Sequence, residues 1–512
     1  MQLGIDIGTD VARAAFLAAD GQPRLVRLPD GSTSLPALAR QTMHGLQVGQ
    51  DASRALVGNA ETTLVGCTRL MGRAGELPPA LIDRLPYPVH DRGGEAVCDL
   101  LYAEVRASSV YAALVGELVG AAEAASGDRI DGVVLTVPAS AENRFRTQAR
   151  AAVEAAGIRV ARLINQPTAA LLAASLPKAR HVAVVHCGGG GFEVSLAEHS
   201  AAGTRILASA GDPTLGGDDL AWLVADRLGE RFRESAGLDL GSADRSNVAR
   251  AGLRRVAAEA LHQLSLAPEM LLVLDHGGGF GRDLATVLRR SDLDAWLEPA
   301  MSRLTELCRR VLGSSRLRAG KIDAVLLLGE WAGPAQVRLA IAAAFDRPVG
   351  ELLADDAATL AVRGAALMTG AQTPLVWDVT PYPLGINCYY GETELFSPII
   401  AANAPIPTPK VGARGAHTER FSTRYPDQTS VRLDVLQYRG PRTPQTAGAN
   451  RVFPNECEVL GSWTFSDLRP EPGQYVPFEV TFAIDADGIL HLQAVEQATG
   501  HALAVDIANY AE

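Results

Sequence analysis

The chain has 512 residues, 47% of them hydrophobic and 21% charged, with a formal net charge of −11. That length exceeds what one core organises, and the balance excludes a disordered or fibrous chain. The acidic surplus and the scattered Lys and Arg argue against nucleic acid and anionic lipid as partners.

Six cysteines, at 67, 98, 187, 308, 388 and 457, lie far apart without a Cys-x-x-Cys pair. Neither a zinc site nor a disulfide framework is suggested, and they read as buried thiols in a reducing compartment. The N-terminus enters a strand pattern at once, with no basic start followed by an apolar run, and no window is long enough to span a membrane. A cytoplasmic location is expected, with no membrane partner.

In chain order, Gly4-Ile-Asp-Ile-Gly-Thr9 is a strand running into a glycine turn. Cys67-Thr-Arg-Leu-Met-Gly-Arg73 follows, and Thr136-Val-Pro-Ala139 reads as a strand stopped by its proline. Residues 141–156 have helical period. After Ile164-Asn-Gln-Pro-Thr-Ala-Ala170, the strand and glycine turn recur at Val184-Val-His-Cys-Gly-Gly-Gly-Gly-Phe-Glu-Val194. A theme repeated roughly 180 residues on suggests two related lobes with a cleft between them, as in an internally duplicated kinase-like or actin-like fold. Gly4, Gly8 and glycines 188 to 191 permit tight turns whose amides can face that cleft and hold phosphate oxygens without added positive charge. Gly211-Asp-Pro-Thr-Leu-Gly-Gly217, a helical stretch over 246–265 and the strand and turn Leu326-Leu-Leu-Gly-Glu-Trp-Ala-Gly-Pro334 complete this α/β region.

Past Gly370 the texture changes. Thr373-Pro-Leu-Val-Trp-Asp-Val-Thr-Pro381 is bounded by prolines and reads as a linker, placed at 373–383, between a domain over 1–372 and a β-sandwich over 384–512. Alternating runs such as Ser430-Val-Arg-Leu-Asp-Val-Leu436 support the sandwich. The segment 439–452, rich in Pro, Thr, Gly and Ala, reads as a loop. Glu479-Val-Thr-Phe-Ala-Ile-Asp-Ala-Asp-Gly-Ile-Leu-His-Leu492 predicts a hairpin turning at Asp485, Asp487 and Gly488.

Together and in this order, these segments resemble the seventy-kilodalton heat-shock (Hsp70, DnaK-like) chaperone family over almost the whole chain. The resemblance implies a duplicated actin-like, ribonuclease H-like ATPase domain followed by an all-β peptide-binding sandwich. It also implies ATP or ADP with Mg²⁺ in the cleft, and extended or unfolded client segments and co-chaperones as partners. Nucleotide-binding positions carried over are Gly8, Thr9, Gly188, Gly189, Gly190, Gly216, Gly217, Ser265 and Gly329. Of the hydrolytic positions, Asp6 (metal side) and Thr9 match.

The other hydrolytic positions depart from the family. His186 replaces an aspartate, Gly191 a threonine, and Glu193 an aspartate in the second hairpin. Thr68 stands where a lysine places the attacking water, and Gln166 where a glutamate is usual. Phosphoryl transfer is mostly positioning and charge stabilisation, so these losses predict weak or absent hydrolysis, a pseudo-ATPase. On the adenosine side, Glu330 and Trp331 replace small residues, and Ala258, Leu261 and His262 replace residues that sandwich adenine.

Pro138 and Arg146 match positions that relay nucleotide state, though a proline after a strand equally just ends it. Leu375, Val376 and Trp377 are apolar enough for the linker to dock on the first domain. In the sandwich the resemblance places a peptide pocket at Phe396 and Val431, near Leu395, with Arg424 at an arch position that is normally small or apolar. Backbone hydrogen bonds and one apolar pocket would hold the peptide, while Arg424 would narrow the arch or favour acidic peptides. No helical lid is legible after the sandwich, so fast exchange is expected. The leading expectation is an ATP-binding chaperone with weak or lost hydrolysis. The alternative is a nucleotide-independent scaffold whose sandwich recognises one client, and a sugar kinase is disfavoured because the sandwich has no role in one.

Overall fold

The computed structural model describes residues 1–56, 59–73, 77–176, 179–200, 203–237, 246–275, 283–370, 376–409, 416–440, 442–446 and 450–507. They group into two units, 1–140 with 149–376 and 141–148 with 377–512. Of the expected linker, 373–375 lie outside the described residues. No helix among the described residues is long and apolar enough to cross a membrane. Four of the six cysteines are buried, and Cys388 and Cys457 are half-buried.

The first unit contains two sheets of one plan. In the first, β1 (Gln2–Ile7) and β2 (Val11–Leu17) form the opening hairpin, joined by β3 (Pro23–Leu25), β4 (Gly132–Val137) and β5 (Val160–Asn165) in the order β5-β4-β1-β2-β3. In the second, β6 (His181–Cys187), β7 (Phe192–Ser200), β8 (Gly203–Asp212), β9 (Ala324–Leu328) and β10 (Leu352–Leu353) run β10-β9-β6-β7-β8. In each, three strands are parallel and the hairpin partners antiparallel. The parallel strands read as continuous apolar runs because both faces are covered, and all six residues of β4 are buried.

The common plan fixes corresponding positions. Asp6 sits opposite Arg13 one step before the end of β1, and His186 sits opposite Glu193 one step before the end of β6. Three helices frame the site: α1 (Cys67–Leu70), α2 (Gln166–Ala173) and α3 (Gly217–Ala236), with α4 (Ser246–Gln263) beside α3. A core cluster joins β6, β7 and β9 to α3 and α4 through Val185, Phe192, Val194, Val325, Leu220, Val224 and Ala257.

The second unit has two four-stranded antiparallel sheets. One contains β11 (Leu384–Tyr390), β12 (Thr393–Ile400), β14 (Val431–Gln437) and β15 (Glu458–Phe465), ordered β12-β11-β14-β15. The other contains β13 (His417–Ser422), β16 (Pro477–Ile484), β17 (Leu490–Glu496) and β18 (Ala502–Asp506), ordered β13-β16-β17-β18. Alternate residues from both, including Ile386, Val435, Phe478, Val480, Phe482 and Leu492, make one core. The predicted hairpin is the β16–β17 pair, where Asp485 accepts from the amides of Asp487 and Ile489 at 2.9 Å and Gly488 takes φ +78°. Of the segment read as a loop, 441 and 447–449 lie outside the described residues.

Candidate functional site

The two glycine hairpins of the first unit meet at a cleft of about 110 Å³. Asp6, Gly8, Thr9, Thr68, Pro138, Gln166, His186, Gly188, Gly189, Gly190 and Gly329 line it, so most of the expected nucleotide and catalytic positions do come together. Asp10, Arg13, Arg69, Glu193 and Glu330 line it too.

On the metal side, Asp6 is engaged by its neighbours: the Thr136 hydroxyl and the Gln166 amide, the latter at 2.8 Å, both donate to Oδ1. Gln166 keeps its carbonyl oxygen buried without a partner. Glu193 accepts from the amides of Ala139 at 3.0 Å and Ser140 at 2.8 Å and from the Ser140 hydroxyl, with His186 Nδ1 3.5 Å away. Burial alone would push the Glu193 carboxyl up, but His186 and Ser140 outweigh it and hold it below the usual range. Both of its oxygens serve the protein itself. Among the described residues no cluster of three or more His, Cys, Asp or Glu is arranged to hold a metal ion. Mg²⁺ wants hard oxygen ligands in octahedral array, and here an imidazole and an amide stand beside Asp6, whose Oδ1 already accepts two bonds, and Glu193, whose oxygens are both taken by the protein. These residues do not fit a magnesium centre.

The hairpin tips touch. A methyl built on Gly190 would lie 2.6 Å from the Thr9 hydroxyl, and one on Gly189 would lie 2.3 Å from Asp10 Oδ2. Thr9 also stands 3.3 Å from the Thr68 hydroxyl, so Thr68, expected at the lysine position, brings a hydroxyl and no charge to the cleft.

Trp331 packs behind Gly329 and Glu330, outside the residues that line the cleft. Its ring is buried, its Nε1 donates to Asp10 Oδ2 at 3.0 Å, and its centroid lies 5.2 Å from that of His262. A methyl on Gly217 would sit 1.8 Å from the indole, so only glycine admits this packing. Burial pushes the His262 imidazole down, against the pull of Glu330 and Asp10. Ser265, expected at the base, donates its hydroxyl to Leu261 O at 2.9 Å and accepts from Ala335 N at 2.8 Å. Gly216, Gly217 and Ser265 do not line the cleft.

An ion-pair network ties the two halves of this unit, and sequence reading missed it. Arg69, on α1, donates to Asp218 at 2.8 Å and to Asp219 at 2.8 and 3.1 Å, on the first turn of α3. Arg254, on α4, donates to the other oxygen of Asp218 and lies 3.6 Å from Asp10 Oδ1. Arg84 adds a 3.4 Å bond to Asp219, and Arg13 pairs with Glu330 at 2.5 Å. Carboxylates in the first helical turn are favoured by the dipole, which helps set α3 against Arg69. Asp10 is the hub: burial pushes its carboxyl up, opposed by the Trp331 bond and by Arg254.

The two expected relay residues fall in different units, Pro138 at the cleft of the first and Arg146 in the second. Arg146 is buried and donates to the carbonyls of Ala141 at 3.0 Å and Asp487 at 3.1 Å.

The expected peptide pocket is not brought together as predicted. Phe396 has no exposed surface and packs with Leu436, Tyr438 and Val452, while Val431 packs against the main sandwich core, and Leu395 is buried. The cause is chain beyond β14: Phe396 N donates to Val452 O at 2.9 Å, so that segment covers its ring. Arg424 instead meets Tyr389, its guanidinium 3.6 Å from the ring centroid and 5.3 Å from that of Tyr425, with Glu392 at 3.7 Å. Tyr389, Tyr390 and Tyr425 are all exposed, and no sequence signal paired them with Arg424.

A family model described as Hsp70 protein matches residues 2–512.

Proposed function

The chain belongs to the Hsp70 family, a chaperone of that type, and from this premise we propose that it binds extended client segments without hydrolysing ATP at a useful rate. The observation that carries the second part is the state of the metal side. One family carboxylate, Asp6, is retained and already accepts two hydrogen bonds, and Glu193 spends both oxygens on the protein. His186 and Gln166 supply no further negative charge for a hydrated Mg²⁺ at neutral pH, and Thr68 supplies no cation for the attacking water. In the family ATP or ADP with Mg²⁺ supplies the driving chemistry.

Client binding is supported by the antiparallel sandwich and by the loop-tip group Tyr389, Tyr390, Arg424 and Tyr425, an amphipathic aromatic surface beside one guanidinium. Such a surface favours peptides pairing apolar side chains with a carboxylate. A second reading, a nucleotide-independent scaffold for one client, is favoured by Trp331 at the base side of the cleft.

Fluorescence anisotropy with labelled extended peptides tests the proposal, using an apolar centre flanked by either acidic or basic residues. The full chain should bind the acidic series more tightly, exchange rapidly, and do so equally with and without Mg-ATP. Absence of binding to any extended peptide, or release driven by ATP turnover, would overturn it.

A further inference from the structure

We propose that Trp331 and Asp10 form a built-in occupant of the first unit's cleft, taking the places of base and phosphates, so that this unit is held together without ATP or ADP. The proposal rests on the reading above, that this is the cleft of a non-hydrolysing Hsp70-family member, and goes further by denying the cleft its nucleotide.

Four observations converge. First, on the side of the cleft where the family resemblance expects the base, the indole is buried against Gly217, beside His262, and anchored by its N–H on Asp10. Second, the phosphate hairpins meet closely at their tips, where a methyl on Gly189 or Gly190 would run into Asp10 or Thr9. Third, the free space of about 110 Å³ is well under the roughly 300–1,000 Å³ of pockets that enclose a drug-sized ligand. Fourth, the charge is wrong for a polyphosphate: Asp10 stands at the hairpin tip, and the nearby guanidiniums of Arg69 and Arg254 are already paired with Asp218, Asp219 and Asp10.

The same contacts explain what replaces the ligand. A bound nucleotide bridges two lobes through its phosphates and base. Here the Trp331–Asp10 hydrogen bond and the Arg69–Asp218–Arg254 ion pairs make a bridge from the protein's own side chains between the same elements, the end of β1, α1, α3, α4 and the turn after β9. A ligand that cannot enter cannot shift a conformational equilibrium, so whatever the second unit does with clients is uncoupled from nucleotide.

Thermal unfolding of the full chain, with millimolar Mg-ATP, Mg-ADP, adenosine, or tripolyphosphate as an ionic control, tests this directly. A nucleotide present at a hundredfold excess over its Kd would raise the midpoint by roughly 5 °C. The proposal expects no change beyond that of tripolyphosphate. A rise specific to ATP or ADP, backed by saturable heat in a calorimetric titration, would overturn it. Trp331→Ser supplies the positive arm: it should unfold at lower temperature and acquire a saturable response to adenosine, which carries no phosphate to meet Asp10. Folded Trp331→Ser without that response would equally overturn the proposal. Should that variant not fold, the wild-type titration alone decides. Nucleotide binding without phosphate release would sink this inference while leaving the non-hydrolysing reading intact; sustained phosphate release would sink both.

Discussion

The indole nitrogen of Trp331 donates a 3.0 Å hydrogen bond to Asp10 across 321 residues of sequence, joining the turn after β9 to the tip of the first glycine hairpin. Around that bond a family built to grip a mobile nucleotide has, in this chain, placed side chains that grip each other.

Arg69 is the strongest single tie. It is only 6% exposed and meets two carboxylates; removing one partner of a buried ion pair costs about 3–5 kcal/mol, and because Asp218 keeps Arg254 and Asp219 keeps Arg84 the lower end of that range applies. Arg69→Met should lose that much in denaturant unfolding of the first unit. An effect below about 1 kcal/mol would mark the pair as a solvated contact of the surface kind.

Asp10 gives a pH signature. Burial raises its carboxyl above the ordinary value, so the folded chain holds this proton more tightly than the unfolded chain. Stability from this group therefore falls as pH rises through the interval between the unfolded and the folded pKa, and the cost persists above it. Asp10→Asn, which keeps an acceptor for the indole, should unfold at a higher temperature than wild type at pH 7 and show a weaker pH dependence in the acid range. A lower midpoint at pH 7 would show that the Arg254 attraction dominates instead.

His491 gives a second pH signature, within the sandwich, where partners rather than burial raise the folded-state value. Hydrogen bonds to Asp485 at 3.4 Å and to Asp506 at 2.6 Å, opposed by burial, raise its imidazole to about 9. The stabilisation is complete below the unfolded value near 6.5 and is lost as pH rises through about 9. Since the ring is a third exposed, screening limits it to the order of 1 kcal/mol. His491→Gln should flatten the stability profile of the second unit between those limits, as followed by near-ultraviolet circular dichroism; an unchanged profile would contradict the assignment.

Arg424 should set client preference. Its stacking on Tyr389 at 3.6 Å is worth about 0.5–1 kcal/mol at an exposed site. Arg424→Ala should reduce the advantage of acidic over basic peptides by roughly threefold or more and leave the folding midpoint within a degree or two. Equal losses for both series would point to a structural role.

Much of this was legible in the sequence, for identifiable reasons. Glycine runs after short apolar strands mark hairpins by local chemistry, so Asp6 and His186 could be matched as equivalents, and β1 and β6 end one residue beyond each. The Asp485 and Gly488 turn was legible because its bonds span only a few residues. What sequence could not give is partnership at long range. Arg69 finds Asp218 from 149 residues away, and nothing in Cys67 to Arg73 predicts that acceptor. Asp10 carries no motif weight, yet it is where Trp331 and Arg254 converge. Motif resemblance places Phe396 in a pocket because it cannot see that Val452 packs against it.

Phosphate release from Mg-ATP by the full chain, with and without a saturating extended peptide, tests the central claim most directly. The account predicts background release in both cases, and the same for the double variant His186→Asp with Thr68→Lys, because Trp331 and Asp10 still take the places of base and phosphates. Peptide-stimulated turnover by the wild-type chain would contradict it.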